Sequence, residues 1–273
     1  MAKTNFYNKL PQTPGVYIMK GARGRILYVG KAGNLRRRVA SYFSRAHDAR
    51  IEKLVGEINR IEHRETETVI EALVLEAALI KALRPPYNIK EKDDKSFLFV
   101  EITDEEWPRV ILVRGKDRDL ARTHFGPFTS ASSIREALKI LRRIFPYNTH
   151  SSTQIKKFKR ACLDYELGLC PGACGGVANK KEYATTLHHL KLFFTGGKKK
   201  IIASLKKEMT ATSRAQEYER AEKLKRQIFA LTHIQDAALI GSDEVENCKL
   251  DIENSAKRLE GYDISNISGT NAV

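Results

Sequence analysis

Residues 15–30 read GVYIMKGARGRILYVG, two short runs of β-branched and aromatic residues joined by a basic connection that contains glycine. Runs of this composition favour the extended backbone of a strand, and glycine in the connection permits a tight reversal of the chain. The stretch therefore predicts a β-hairpin whose strands lie at about 16–19 and 26–29.

Helical signals follow this hairpin. Asn34 is a suitable N-cap for a helix that runs to about Phe43, and a second helix is expected over about 49–60. Thr68 and Glu71 have the spacing of a capping box, which predicts a third helix that ends before Pro85-Pro86. Strands mixed with helices in so short a segment indicate an α+β fold, with a small mixed sheet covered by helices.

The rest of the chain is expected to be mostly helical, after two further strands near 97–102 and 110–113, a turn at 125–128 and a helix at about 132–144. A cysteine-rich segment with Gly and Pro then precedes a helical hairpin that breaks near 210–213. We therefore divide the chain into an α+β domain at 10–95, a connecting α/β segment at 96–149, a cysteine-rich segment at 150–196, a helical hairpin at 197–235, a polar linker at 236–259 and a strand-like start at 260–273.

Composition limits the class of protein. The 273 residues are 42% hydrophobic, enough for a packed core, and carry a formal net charge of +15. No leader-like apolar run opens the chain and none of about 18 residues occurs, so neither a signal peptide, a transmembrane helix nor a membrane partner is expected. Four cysteines are too few for a disulfide scaffold and favour a reducing, cytoplasmic setting.

The positive charge is concentrated in two segments. Residues 1–50 contain 11 basic residues and one acidic residue, and residues 135–200 contain 14 and four. A merely solvated surface usually mixes the two signs, so a polyanion such as DNA is the expected partner. A lysine-rich surface that only improves solubility is the alternative.

A carboxylate lies within the apolar stripe of the third predicted helix. Helical spacing places Glu76 near the middle of one apolar arc, formed by Ala72, Leu73, Leu75, Leu79, Ile80 and Leu83. Burial of an unpaired carboxylate costs on the order of several kcal/mol. We therefore expect Glu76 to pair with a nearby arginine or to bind a hard divalent cation such as Mg²⁺ or Mn²⁺.

The helix after Asn34 separates its arginines. Leu35, Arg38, Val39 and Tyr42 share one face by i, i+3, i+4, i+7 spacing, whereas Arg36 and Arg37 point elsewhere and are available to solvent or DNA phosphate. Two more phenols, Tyr17 and Tyr28, lie on the adjacent strands of the hairpin.

These residues resemble, in order and spacing, the motifs of the GIY-YIG nuclease superfamily: Gly15-Val-Tyr17, Tyr28-Val-Gly30, Arg38, Glu76 and Asn88. Valine replaces isoleucine in both triplets. The resemblance implies a hydrolytic DNA endonuclease that uses one divalent metal ion.

The same resemblance implies a role for each residue. Glu76 would hold the metal, and Arg38 would bind the scissile phosphate and stabilise its developing charge. Tyr28 would be the general base, assisted by Tyr17 and by Lys31, whose positive charge favours a phenolate. Tyr42 and Asn88 would orient the phosphate and close the site.

The cysteine-rich segment is the second candidate site. Cys162, Cys170 and Cys174 fall within 13 residues, and thiolates in a tight loop suit a soft metal. A fourth ligand would be His150 or the distant Cys248. The segment resembles that of the UvrC branch of the superfamily, which implies a 4Fe–4S cluster with His150 at the first cysteine position, or zinc as the alternative. The neighbouring Lys156 and Lys157 suit contact with DNA phosphates.

The helical hairpin is the third candidate site. Tyr218-Glu219, Ala221, Leu224 and Ile228 resemble the UVR motif, which implies that this hairpin pairs with UvrB; an ordinary helical pair that packs on the body is the alternative. Residues 260–273 resemble the first strand of an RNase H-like nuclease domain, with Asp263 at its first carboxylate.

Taken together, the resemblances imply a nucleotide-excision repair subunit that cuts DNA on the 3′ side of a lesion in a UvrB–DNA complex, the 5′ cut belonging to the RNase H-like domain. A standalone GIY-YIG nuclease of another pathway would not explain the UVR-like hairpin. A structured-DNA-binding module without catalysis should have lost Glu76 or Arg38.

Overall fold

The computed structural model describes residues 5–44, 48–89, 97–158 and 160–234. The predicted linker and the RNase H-like strand with Asp263, as well as Cys248, lie outside these residues. The first sheet contains β1 (Gly15–Lys20), β2 (Ile26–Ala32) and β3 (Arg60–Glu65) in the order β2-β1-β3. The predicted hairpin is thus confirmed as β1 and β2, and both strand pairs of the sheet are antiparallel rather than mixed.

Helices surround this sheet: α1 (Asn5–Asn8), α2 (Leu35–Ser44), α3 (Ala49–Glu57), α4 (Val69–Leu83) and α5 (Pro86–Ile89). The predicted caps are present, since Asn34 Oδ1 accepts from the Arg37 amide at 2.9 Å and Thr68 Oγ1 accepts from the Glu71 amide at 3.2 Å. The second helix ends at Glu57, three residues before its predicted end, because the chain turns there into β3.

The second sheet contains β4 (Leu98–Ile102), β5 (Val110–Arg114) and β6 (Thr123–Phe128) in the order β5-β4-β6, again antiparallel. The prediction of a turn at 125–128 is wrong, because these residues form the end of strand β6. The register of β6 against β4 is irregular between Leu98 and Val100 of β4, and this irregularity accommodates Gly126-Pro127 within the strand. Helix α6 (Ala131–Ile144) follows, with Ser130 as its N-cap.

Helix α4 lies between the two sheets. On one side Ala72 and Ile80 pack with Val16, Ile18 and Val29 of the first sheet. The opposite side packs in the core of the second sheet through Val69, Ile70, Leu73, Val74 and Ala77. The single apolar arc expected for this helix is therefore wrong: α4 is apolar on two sides, and Leu83 at its end is 39% exposed.

The C-terminal part is helical, with α7 (Ser152–Lys157), α8 (Leu163–Glu166), α9 (Lys180–Phe194), α10 (Lys198–Arg214) and α11 (Tyr218–Thr232). The helical hairpin is present as α10 and α11, but its break lies at 215–217 instead of 210–213. The hydroxyls of Thr210 and Thr212 bond back to helix carbonyls at 3.0 Å, so these residues continue α10. Gln216, with φ of 60°, makes the turn.

Helix α9 was not expected, and it joins α10 and α11 to the core of the second sheet through residues such as Leu190, Ile201 and Leu231. Across the described residues, no helix combines the length and apolar character that crossing a bilayer would require.

Candidate active site

Three phenols, from β1, β2 and α2, pack together in one core cluster of the first domain. The Tyr17 and Tyr42 hydroxyls lie 2.9 Å apart, and Tyr28 completes a cluster whose ring centroids are 6.0 to 6.3 Å apart. Gly30 makes this possible, because a Cβ there would overlap the Tyr17 hydroxyl. Gly15 is needed in the same way against the Arg64 carbonyl of β3. The glycines of the two triplets therefore set the shape of the site.

Arg38 reaches the same cluster. Its guanidinium lies 5.5 Å from the centroid of the Tyr42 ring, a cation–π geometry. The electrostatic interaction with Tyr17 is the largest influence and raises the pKa of Arg38, with burial acting in the opposite direction. A guanidinium already has a pKa above 12, so Arg38 is cationic throughout the useful pH range. As predicted, Arg38 is half-buried whereas Arg36 and Arg37 are exposed.

The phenols hold their protons strongly. For Tyr28, the neighbouring Tyr42 and then burial and the Glu76 charge raise the pKa well above 10, while Arg38 opposes the rise. For Tyr17, burial is the main cause of a pKa raised in the same direction. The predicted shift towards a Tyr28 phenolate is therefore wrong for these residues alone, since three phenols and a carboxylate crowd one another.

Glu76 of α4 is only 4% exposed, and it is near enough to the cluster for its charge to act on Tyr28. Its Oε1 accepts the backbone N–H of Lys31 at 3.1 Å, and its Oε2 accepts the Thr129 hydroxyl at 3.4 Å. A buried carboxylate beside phenol oxygens is a hard-oxygen donor set, and Mg²⁺ is commonly held by one or two carboxylates with the rest of its shell water. The residues therefore fit a Mg²⁺ or Mn²⁺ ion.

Asn88 is close to the cluster but bonds to backbone. Its Oδ1 accepts the Val29 amide and its Nδ2 donates to the Val29 carbonyl, both at 2.8 Å. The side chain thus pairs with β2 as a neighbouring strand would, and it holds the strand that carries Tyr28 and Gly30.

The second candidate site brings three of its four predicted ligands together. One ligand atom each from His150, Cys162 and Cys174 lies within 4.8 Å of the others. Cys170 is buried and interacts with Cys162, but it is outside that group; burial raises its pKa to about 12. His150 Nδ1 is buried without a hydrogen-bond partner among the described residues. The Asn148 side chain holds the His150 backbone: its Nδ2 donates to the His150 carbonyl and its Oδ1 accepts the His150 amide, both at 2.9 Å.

The predicted partner residues divide between surface and core. Tyr218 is 66% exposed and Glu219 is also exposed, whereas Leu224 is 8% exposed and packs in the core together with the partly buried Ile228. Sequence reasoning missed Phe229, which is 64% exposed on α11. Helical periodicity found the apolar positions but could not say which of them the body covers. The predicted DNA contacts Lys156 and Lys157 are exposed at the end of α7.

Comparison with known proteins gives consistent matches along the described chain. Residues 13–89 match the UvrC-like GIY-YIG domain, residues 97–193 the middle domain of the UvrC/Cho excinucleases, and residues 199–233 the UvrB/uvrC motif.

Two curated relatives illustrate the similarity. "UvrABC system protein C" of Moorella thermoacetica is 39% identical over 240 residues, which are 86% of this chain and 39% of the relative. The protein of the same name from Clostridium kluyveri is 39% identical over 258 residues, 88% of this chain and 41% of the relative. The chain thus spans about two fifths of the length of these relatives.

Among solved structures, the magnesium-bound "GIY-YIG N-terminal endonuclease domain of UvrC from Thermotoga maritima" is 34% identical, with a TM-score of 0.30; the match covers 32% of this chain and 96% of that one. Sequence matches in three successive segments, together with 39% identity to these relatives over 86–88% of this chain, show that this chain belongs to the UvrC family.

Proposed function

We propose that this chain is a metal-dependent DNA endonuclease of nucleotide-excision repair, which hydrolyses a phosphodiester on the 3′ side of a lesion in a UvrB–DNA complex. The observation that carries the proposal is the convergence of Glu76 and Arg38 on the cluster of three phenols. The middle-domain and UvrB/uvrC matches favour this role over that of a standalone GIY-YIG nuclease.

Each residue has a chemical task in this proposal. Arg38, cationic at all relevant pH values, binds the scissile phosphate and stabilises the charge that develops on it. Tyr28 is half-buried and can hydrogen-bond an attacking water, with Tyr17 and Tyr42 completing the hydroxyl network. Asn88 holds β2 so that Tyr28 faces the phosphate.

Glu76 would hold the divalent cation. When bound, the cation would polarise the phosphate and offset the carboxylate charge that raises the pKa of Tyr28. Tyr28 could then give up its own proton to solvent, and its phenolate oxygen could accept a proton from the attacking water. Lys31 would contribute its backbone N–H to the orientation of Glu76.

The test is nicking of a lesion-containing duplex with UvrB loaded and Mg²⁺ present. Glu76→Gln and Arg38→Ala should each lose the 3′ nick while keeping the circular dichroism and melting temperature of the parent. Glu52→Gln, at an exposed position of α3, is the matched control and should cut normally. Cutting by both site variants at the parent rate would refute the assignment.

Two further parts of the proposal rest on the other candidate sites. Exposed Tyr218 and Phe229 on the helical hairpin supply the surface for UvrB, so Tyr218→Ala should weaken capture of purified UvrB without lowering stability. Arg36, Arg37, Lys156 and Lys157 would contact DNA phosphates.

The cysteine segment would bind an iron–sulfur cluster, or zinc, through His150, Cys162, Cys174 and Cys170. Two observations support it: the grouping of the first three ligand atoms, and a buried His150 Nδ1 without a hydrogen-bond partner in the described part of the chain. Anaerobically purified protein should contain iron and absorb visible light. A colourless protein with one zinc per chain would replace the cluster by zinc, and a metal-free protein would refute the site.

A further inference from the structure

Residues 125–130 read FGPFTS, and they reach the nuclease site through the contact of Thr129 with Glu76, to which the proposed function assigns no role. This motif comprises the end of β6 and the cap of α6, and β6 lies beside α4. The Phe125 ring stacks on Phe194, with centroids 5.0 Å apart, and Phe128 is only 3% exposed. The motif is therefore anchored in the core of the second sheet.

The backbone that carries Thr129 is constrained both before and after this residue. Before it, Gly126 has φ of +137°, and a Cβ there would come within 2.7 Å of the Phe99 ring, so only glycine allows this path of the strand. After it, the Ser130 hydroxyl accepts the Ser133 amide at 3.3 Å and begins α6. The chain thus presents Thr129 from a fixed backbone at the side of α4.

The Thr129 hydroxyl donates to Glu76 Oε2 at 3.4 Å, while the Lys31 amide donates to Glu76 Oε1 at 3.1 Å. Lys31 belongs to β2 of the first sheet and Thr129 directly follows β6 of the second, with the carboxylate of α4 between them. A carboxylate has about four lone-pair positions. A donor on each of the two oxygens therefore restricts the rotation of the carboxylate.

We propose that Thr129 is a positioning residue for the metal carboxylate Glu76, so that the second sheet contributes to the nuclease site of the first. This rests on the proposed function, in which Glu76 binds the cation. Mutation of a residue that hydrogen-bonds to a metal ligand typically lowers metal affinity or activity by about 10–100-fold. Because the Thr129 bond is long, we expect the lower end, about tenfold weaker binding.

The experiment measures Mn²⁺ alone binding to the whole 273-residue chain, by electron paramagnetic resonance of the free ion, with no DNA present. Thr129→Val keeps the shape of the side chain and removes the hydroxyl, and Thr129→Ser keeps the hydroxyl. Thr123→Val, at the exposed start of β6, is the matched control. Thr129→Ala is a second hydroxyl-free variant if the valine distorts the loop.

We expect a dissociation constant about tenfold higher in Thr129→Val and Thr129→Ala, and within about threefold of the parent in Thr129→Ser and Thr123→Val. In the nicking assay, the Mg²⁺ concentration for half-maximal rate should rise in Thr129→Val while the rate at saturating Mg²⁺ is retained, which general damage to the fold would not produce.

The variant Glu76→Gln distinguishes a failure of this proposal from a failure of the proposed Glu76 metal site. If Glu76→Gln no longer binds Mn²⁺, so that the free-ion signal stays at its full height, but the hydroxyl-free Thr129 variants bind as the parent does, Thr129 has no positioning role and this inference is refuted. If Glu76→Gln itself binds Mn²⁺ as tightly as the parent, the metal site of the proposed function is refuted.

Discussion

Replacement of Lys198 by Met should lower the free energy of unfolding by about 2 kcal/mol. Lys198 begins α10, and its side chain is only 7% exposed. Its ammonium lies 2.8 Å from Glu67 Oε2, just before α4, and 2.8 Å from Glu71 Oε1 in the first turn of α4. The Glu67 contact is also a well-directed hydrogen bond, whereas the Glu71 contact is an ion pair only. Lys198 therefore joins the helical hairpin to the helix that carries Glu76.

The magnitude follows from the burial of each partner. Removal of one member of a fully buried pair costs about 3–5 kcal/mol, and an exposed pair contributes about 0.2–1 kcal/mol. Here the lysine is buried, Glu71 is 21% exposed and Glu67 is 61% exposed. The pair with Glu71 thus lies between the limits and the pair with Glu67 near the lower one, and together they give about 2 kcal/mol.

The loss should depend on pH. Burial lowers the pKa of Lys198, but Glu67 and Glu71 outweigh it and the net pKa is raised; Lys198 in turn lowers the pKa of Glu67. Because the folded pKa of Glu67 is below its unfolded value, its contribution is present above about pH 4.5 and is lost as pH falls through the folded pKa. The raised pKa of Lys198 makes its contribution present below about pH 10.5 and lost above. The variant should differ from the parent mainly between these limits.

Urea unfolding followed by the fluorescence of the single tryptophan, Trp107, measures the difference at pH 7. For a domain of this size about 2 kcal/mol corresponds to a fall of about 4–8 °C in melting temperature. Lys200→Met, two residues further along α10 and exposed, is the control and should be nearly neutral. Equal stability of Lys198→Met and Lys200→Met at pH 7 would refute the reasoning.

Three further outcomes are expected. Gly30→Ala should abolish nicking because its Cβ displaces the Tyr17 phenol, whereas Gly56→Ala, in open space on α3, should cut normally; equal activity would contradict this steric account. Asn88→Ala should cost about 2 kcal/mol by leaving both Val29 backbone groups without their partner, and hydrogen exchange of the Val29 amide should accelerate; unchanged exchange would mean that the pairing is unimportant. Burial raises the pKa of Tyr147 to about 12, so its contribution is present below pH 10 and is lost as pH rises towards 12. Tyr147→Phe should therefore reduce alkaline destabilisation in urea titrations at pH 10 to 12 by about 2 kcal/mol, and an identical pH profile would count against it.

Local chemistry accounts for the elements that the sequence predicted well. Hairpin strands of β-branched and aromatic residues, and caps such as Asn34 and Thr68, depend on neighbours a few residues away. Strand β3 escaped prediction because RIEHRE is almost wholly charged and becomes a strand only by pairing with β1. Strand β6 escaped because Gly126-Pro127 is typical of a turn, and only the pairing with β4 extends it.

The site divides in the same way. Glu76 was found because a carboxylate in an apolar helix conflicts with its surroundings, and the phenols were found through their place in the two triplets. Thr129 and Lys198 carry no such local signal: Thr129 is 53 residues from Glu76, and Lys198 is 131 residues from Glu67. Their partners are set by the packing of α4 between two sheets, which no short-range pattern records.

That packing of α4 has a consequence for genetics. A screen for alleles that lose nicking should recover substitutions well beyond residue 95, because apolar residues of the second sheet support the same helix as those of the first. Val100 and Phe128 belong to the core that holds α4 in place. Alleles at these positions would be recorded as nuclease mutations. Their positions would be explained by contact with the core around α4, and not by the domain boundary near residue 95.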